Sequence, residues 1–292
     1  MGVGPHPATD PGTASCHLKA GSIRGSGGRA RRLLGSSLAA VILGLTGCGS
    51  GGPARVSPDS ALSEQCDAVP SGAERVTLKA RDGVRLGAAL LGPPDASIGV
   101  VLSHGATQSL CDWLTEIDGI AAETRARFLI PDRRGGGSSE GRPDVGSYVT
   151  DIVDALHWLK KAGAVRLAVA GTSYGAPIAV AAGQEAGARS AEGAVRLPVC
   201  AVIAISPLRS IEEPGGSIQP LDTHLAVPGV WIAAEKDNTG IAANARSLFD
   251  ELRHDEQGRL VLVPGEDHSL ALVQNHPEAR LLIKDAILSC PP

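Results

Sequence analysis

The 292-residue chain predicts an α/β domain built on a mostly parallel sheet of about eight strands, and three observations point there. Short apolar runs recur along most of its length. Stretches with helical spacing separate them. The runs are apolar at every position rather than at alternate ones, as strands buried on both faces must be. The series opens differently. Arg75–Leu78 and Val84–Leu91 flank Arg81-Asp82-Gly83, a hairpin turn signal, so the sheet starts antiparallel. The later strands are Ile98–Leu102, Phe128–Ile130, Leu167–Ala170, Val199–Ile205, Val230–Ala234 and Leu260–Val263. Helices are expected over about Leu110–Thr124, Asp151–Leu159, Tyr174–Ala186, Ile241–Arg253 and His276–Leu288. Strands and helices in alternation give a parallel sheet covered on both faces. In such a sheet chemistry gathers at the carboxyl ends of the strands.

Composition narrows the classes of function. Hydrophobic residues make up 43% and charged residues 20%, as in a globular chain. Aromatic residues are only 2%, too few for a base- or sugar-stacking surface, and no basic stripe runs through the body of the chain. Nucleic acid is therefore not an expected partner.

The first fifty residues read as a targeting segment. Arg29, Arg31 and Arg32 precede the apolar stretch Leu33–Leu45, which is short for a membrane span and ends in small residues. Leu45-Thr46-Gly47-Cys48 follows, then Gly49-Ser50-Gly51-Gly52-Pro53, and this run resembles the bacterial lipobox. The resemblance implies cleavage before Cys48, lipidation of Cys48, and a protein exported to the cell envelope and lipid-anchored to the outer face of the bacterial membrane. An ordinary signal peptide and a short buried helix are the alternatives. Cleavage there would remove five basic residues and one acidic residue, taking the formal net charge from −4 to −8. Attachment to membrane would then come from lipid rather than from charge. The expected organisation is a signal peptide over 1–47, a lipidated cysteine and flexible tether over 48–70, and the α/β domain over 71–292. Beyond Cys48 lie Cys66, Cys111, Cys200 and Cys290, an even number in an exported chain, for which three pairings exist. Cys66–Cys111 with Cys200–Cys290 is the preferred one, against Cys200 as a plain core residue.

Gly-x-Ser-x-Gly occurs twice. Gly171-Thr172-Ser173-Tyr174-Gly175 follows a strand and opens a helix, the setting of a nucleophile elbow. Gly137-Ser138-Ser139-Glu140-Gly141 lies in a polar loop after Asp132-Arg133-Arg134, with no strand leading into it, so Ser139 is read as a chance match. A serine hydroxyl needs a histidine base, and that histidine needs an orienting carboxylate. Asp237 follows the seventh strand and His268 the eighth, in the chain order this arrangement requires. Glu235 competes with Asp237 as the acid. His276 competes as base, although a helix beginning there would carry it away from the loop. His157, His224 and His254 have surface-like settings.

With the elbow, the acid and the base in this order, the chain resembles the α/β-hydrolase superfamily over about residues 72–290. The resemblance implies an oxyanion hole of two amides, Tyr174 beside the nucleophile and Ala106 in Ser103-His104-Gly105-Ala106. There His104 would order the loop. Ser109–Leu114 further resembles dienelactone-hydrolase-like bacterial proteins. The stretch Ser206–Pro228 between the sixth and seventh strands must supply a connecting helix and leaves little or no room for a cap, with Gly215-Gly216 as its only hinge candidate. The resulting expectation is a serine hydrolase of carboxylic esters, needing no metal or cofactor and acting on a small-molecule ester. A peptidase or acyltransferase with the same triad, and a non-catalytic envelope-binding lipoprotein, are the other readings.

Overall fold

The computed structural model describes residues 56–187, 197–213, 216–220, 225, 227–252 and 258–290. Cys48 and the whole expected signal segment lie outside them, as do His224 and His254. Among the described residues, ten strands and the helices between them follow the alternation in the sequence. The first strands are β1 (Glu74–Lys79), β2 (Arg85–Leu91), β3 (Ile98–Ser103), β4 (Arg127–Pro131), β5 (Arg166–Thr172) and β6 (Val199–Ile205). A two-stranded hairpin, β7 (Ile211–Glu213) and β8 (Gly216–Ile218), precedes β9 (Gly229–Ala234) and β10 (Arg259–Val263). The main sheet has the order β1-β2-β4-β3-β5-β6-β9-β10. β1 pairs antiparallel with β2, and β2 antiparallel with β4; every later pairing is parallel.

Both faces of the sheet are apolar because alternate side chains feed two separate cores. Val101, Leu167, Val169 and Val202 point to one, under α3 (Val145–Lys161), α4 (Gly175–Gly187) and α5 (Ile241–Leu252). Val100, Leu102, Ile203 and Ile232 point to the other, under α2 (Leu110–Thr124) and, further along the chain, two short C-terminal helices. Trp113 and Trp231, both fully buried, anchor one core each. No described helix is long and apolar enough to cross a membrane.

Two features differ from expectation. The sequence predicts a tether over 48–70; residues 48–55 lie outside the described ones, and from residue 56 the chain packs onto the domain. A one-turn helix, α1 (Leu62–Gln65), buries Leu62. Cys66 is bonded to Cys111 at the start of α2. The second disulfide joins Cys200 on β6 to Cys290, just beyond α7 (Pro277–Leu288), which precedes it. Polar composition misled here, because Arg75 reaches back to the Ser60 carbonyl (2.9 Å) and the Gln65 amide oxygen (2.6 Å), holding a segment poor in large apolar residues. The connection between β6 and β9 was expected to be helical. Among its described residues there is no helix; the β7–β8 hairpin stands there instead, with Gly216 opening β8. No cap domain is present among the described residues, in accord with expectation.

Candidate active site

The elbow begins where β5 ends. Ser173 has φ 51°, a left-handed conformation that costs a side-chain-bearing residue about 1–2 kcal/mol. The end of β6 and the start of α4 hold it there: its amide donates to the Ile205 carbonyl (2.9 Å), and its own carbonyl accepts from Ala176 (3.1 Å). The flanking glycines do not bend the chain through positive φ, for neither has one. They are required by close approach. A Cβ on Gly171 would lie 2.2 Å from the Gly175 carbonyl oxygen, and one on Gly175 only 2.1 Å from the Ser103 carbonyl oxygen. Gly175→Ala should therefore destabilise the fold by about 1–3 kcal/mol or more, because backbone must move to admit the methyl group. Gly136→Ala, where the nearest atom is at 3.4 Å, should stay within about 0.5 kcal/mol. Urea unfolding of the two variants measures the difference.

Three side chains converge at this end of the sheet. The Ser173 Oγ lies 2.8 Å from His268 Nε2. The other ring nitrogen, Nδ1, lies 2.9 and 2.8 Å from the two carboxylate oxygens of Asp237. The Asp237 side chain is fully buried, whereas 37% of the His268 side chain is exposed. The carboxylate is thus sealed while the imidazole faces the open. Two amide contacts bring Asp237 to His268: Glu235 donates to the Val263 carbonyl (2.8 Å) and Lys236 to the Gly265 carbonyl (2.9 Å). The turn over 234–237 then directs Asp237 inward and leaves Glu235 exposed.

The loop after β3 completes the site. A Cβ on Gly105 would come within 3.6 Å of the Ser173 Cβ, so the Gly105-Ala106 turn faces Ser173. Among the described residues neither the Ala106 nor the Tyr174 amide donates to a protein acceptor. Both are available to an acceptor other than the protein. The loop is held by His104 and Gln108. His104 is buried, and its Nε2 accepts from the Arg133 amide (3.2 Å), so the proton sits on Nδ1, which donates to the Gly105 carbonyl (2.9 Å). Burial first, and the Arg133 charge second, push its pKa down to about 4.

The neutral His104 carries a pH consequence. Its folded pKa is below the unfolded 6.5, so the unfolded chain binds the extra proton. Stability from this residue is intact above pH 6.5, falls as pH drops towards 4, and levels off below. The full effect is about 3 kcal/mol. His104→Asn should lose less stability than the parent between pH 7.5 and 4.5, as read by urea unfolding.

Gln108 gave no signal in the sequence. Its Oε1 accepts from the Gly105 amide (2.8 Å), Trp113 Nε1 (3.0 Å) and Ser269 Oγ (3.3 Å). One oxygen therefore links the loop after β3, α2 and the residue after His268. Ser269 is itself at φ 56°, and its amide donates to Ser206 Oγ (2.9 Å) while its hydroxyl bonds Thr172. All three hydroxyl residues are buried.

The remaining candidates have structural settings. Ser139 is buried; its hydroxyl donates to the Asp132 carbonyl (2.6 Å) and accepts from the Gly87 amide (3.1 Å). Asp132 accepts from Leu110, Ser138 and Gln65, stitching the N-terminal segment to α2. His157 is exposed. His276 departs from expectation: it caps α7, yet its Nε2 reaches Asp267 (3.0 Å) and braces the loop that carries His268. The short helix α6 (Leu270–Asn275) turns the chain back between the two. Among the described residues no group of three metal-ligating side chains is present.

A family model described as alpha/beta hydrolase fold matches residues 100–224. No curated protein matches the sequence. Among solved structures the chain is similar to an esterase of Pyrococcus furiosus, with TM-score 0.59 and 16% identity over 80% of this chain and 95% of that one. It is also similar to a serine hydrolase without lid of Xanthomonas campestris, with TM-score 0.53 and 18% identity over 76% and 98% of the two chains. A dienelactone hydrolase of Anabaena variabilis gives TM-score 0.53 and 18% identity over 75% and 97%. The strand order, the elbow after β5 and these likenesses agree: the chain has the α/β-hydrolase fold.

Proposed function

We propose that the protein is a serine hydrolase that cleaves carboxylic esters through an acyl-enzyme. The observation that carries this reading is the unbroken hydrogen-bonded series from Ser173 Oγ through the His268 ring to the buried Asp237 carboxylate. Ser173 attacks the ester carbonyl carbon as its hydroxyl proton passes to His268 Nε2. Asp237 keeps the other proton on Nδ1 and stabilises the imidazolium. The Tyr174 and Ala106 amides receive the oxyanion. Collapse of the tetrahedral intermediate expels the alcohol, which takes the proton from Nε2. Water, deprotonated by the same nitrogen, then attacks the acyl-enzyme and restores Ser173. No cofactor enters these steps. The name of the Pyrococcus structure, an esterase, favours an ester over a peptide bond.

A fluorophosphonate probe tests the nucleophile directly. Labelling confined to Ser173, with turnover of a short 4-nitrophenyl ester, supports the reading; a folded protein that takes no label overturns it. Two disulfides accord with an oxidising compartment, and with the lipobox-like run at Cys48 they support an exported, lipid-anchored protein.

A further inference from the structure

We propose that Arg133 recognises an anion, so that the ester accepted at Ser173 carries a carboxylate close to its scissile bond. This substrate class rests on the ester-hydrolase reading of the same site. The argument begins with two adjacent arginines that meet different surroundings. Arg134 is fully matched: its Nε and Nη2 donate to the two Asp151 oxygens at 2.7 and 2.6 Å, and Nη1 donates to Asp82 at 2.7 Å. Arg133 has no carboxylate within ion-pair distance among the described residues. Its Nη2 donates to the carbonyls of His104 (2.7 Å) and Gly105 (3.2 Å). Its guanidinium lies 4.5 Å from the Tyr174 ring centre and 5.5 Å from that of Tyr148. Among the described residues Nε and Nη1 donate to no protein acceptor, and the residue is half-buried.

The acids nearest this cation are engaged elsewhere. Glu213 accepts from the Tyr174 hydroxyl (2.7 Å), and Asp132 is taken by Ser138, Gln65 and the Leu110 amide. Both tyrosines and Glu213 face Arg133 without neutralising it, and burial lowers the guanidinium pKa. A half-buried cation without a contacting carboxylate carries a desolvation cost that an incoming anion offsets. The location matters as much as the charge. Arg133 grips the carbonyl of Gly105, which faces the nucleophile, and lies on the ring of Tyr174, the residue after Ser173. A planar guanidinium with free donors is matched in shape and charge by a carboxylate.

Mono-4-nitrophenyl glutarate and 4-nitrophenyl pentanoate differ chiefly by the terminal carboxylate and provide the test. The parent should favour the glutarate ester in kcat/KM. Arg133→Met should cut that preference about 10- to 100-fold, mainly through KM, and Arg133→Lys should retain part of it. A purely structural role predicts equal losses on both esters in Arg133→Met, and that result overturns the proposal. So does a parent with no preference. Glutarate binding, measured by calorimetry on the parent and both variants, separates this proposal from the hydrolase reading. If neither ester turns over, ester hydrolysis fails, while glutarate binding that weakens in Arg133→Lys and vanishes in Arg133→Met upholds the anion site. No glutarate binding to the parent removes it.

Discussion

Ser173→Ala is expected to lower kcat on a short 4-nitrophenyl ester by about 10⁴- to 10⁶-fold and to abolish fluorophosphonate labelling. The loss is large because no other hydroxyl can take the position. Thr172, Ser206 and Ser269 are buried behind the elbow and bonded to one another, and Ser139 serves a different loop. Stability should change little, since alanine suffers the same left-handed penalty as serine. Ser173→Gly removes that penalty and should unfold about 1 kcal/mol later than Ser173→Ala, with equally little activity. Such a pair of results would show that the strain at φ 51° is carried for function rather than for folding. Turnover persisting near the parental rate in Ser173→Ala sinks the acyl-enzyme mechanism.

The second large effect concerns the acid. Asp237→Asn should reduce kcat about 10⁴-fold while the fold persists, because an amide at this position can donate to Nδ1 and place the imidazole proton on the wrong nitrogen. Glu235→Gln, two residues earlier, should leave kcat within about twofold, as expected of an exposed surface change. Steady-state kinetics on the two variants decides between the carboxylates. A result in which Glu235→Gln fails and Asp237→Asn works would falsify the assignment of Asp237 and require the 234–237 turn to open.

The sequence by itself determined the fold class, because uninterrupted Val, Leu, Ile and Ala runs have no stable home except a sheet covered on both faces. It also singled out Ser173 from Ser139, since a strand before and a helix after are local patterns. Asp237 and His268 were legible as residues at strand ends, and the cysteine count allowed the pairing found. The tertiary structure decided what depends on distant partners. Asp237 lies inside and Glu235 outside because two amides of the turn pair with the β10 end of the neighbouring strand. Residues 56–70 belong to the domain because Arg75, Asp132 and Cys111 hold them, although their own composition is that of a tether. Gln108 acquires its role from Gly105, Trp113 and Ser269, one of them 161 positions away. Arg133 and Arg134 are the same letter twice, and only the distribution of carboxylates around them makes one a structural ion pair and leaves the other facing the site. Periodicity is a local property of the chain, whereas neutralisation of a charge depends on what the fold brings within a few ångströms of it.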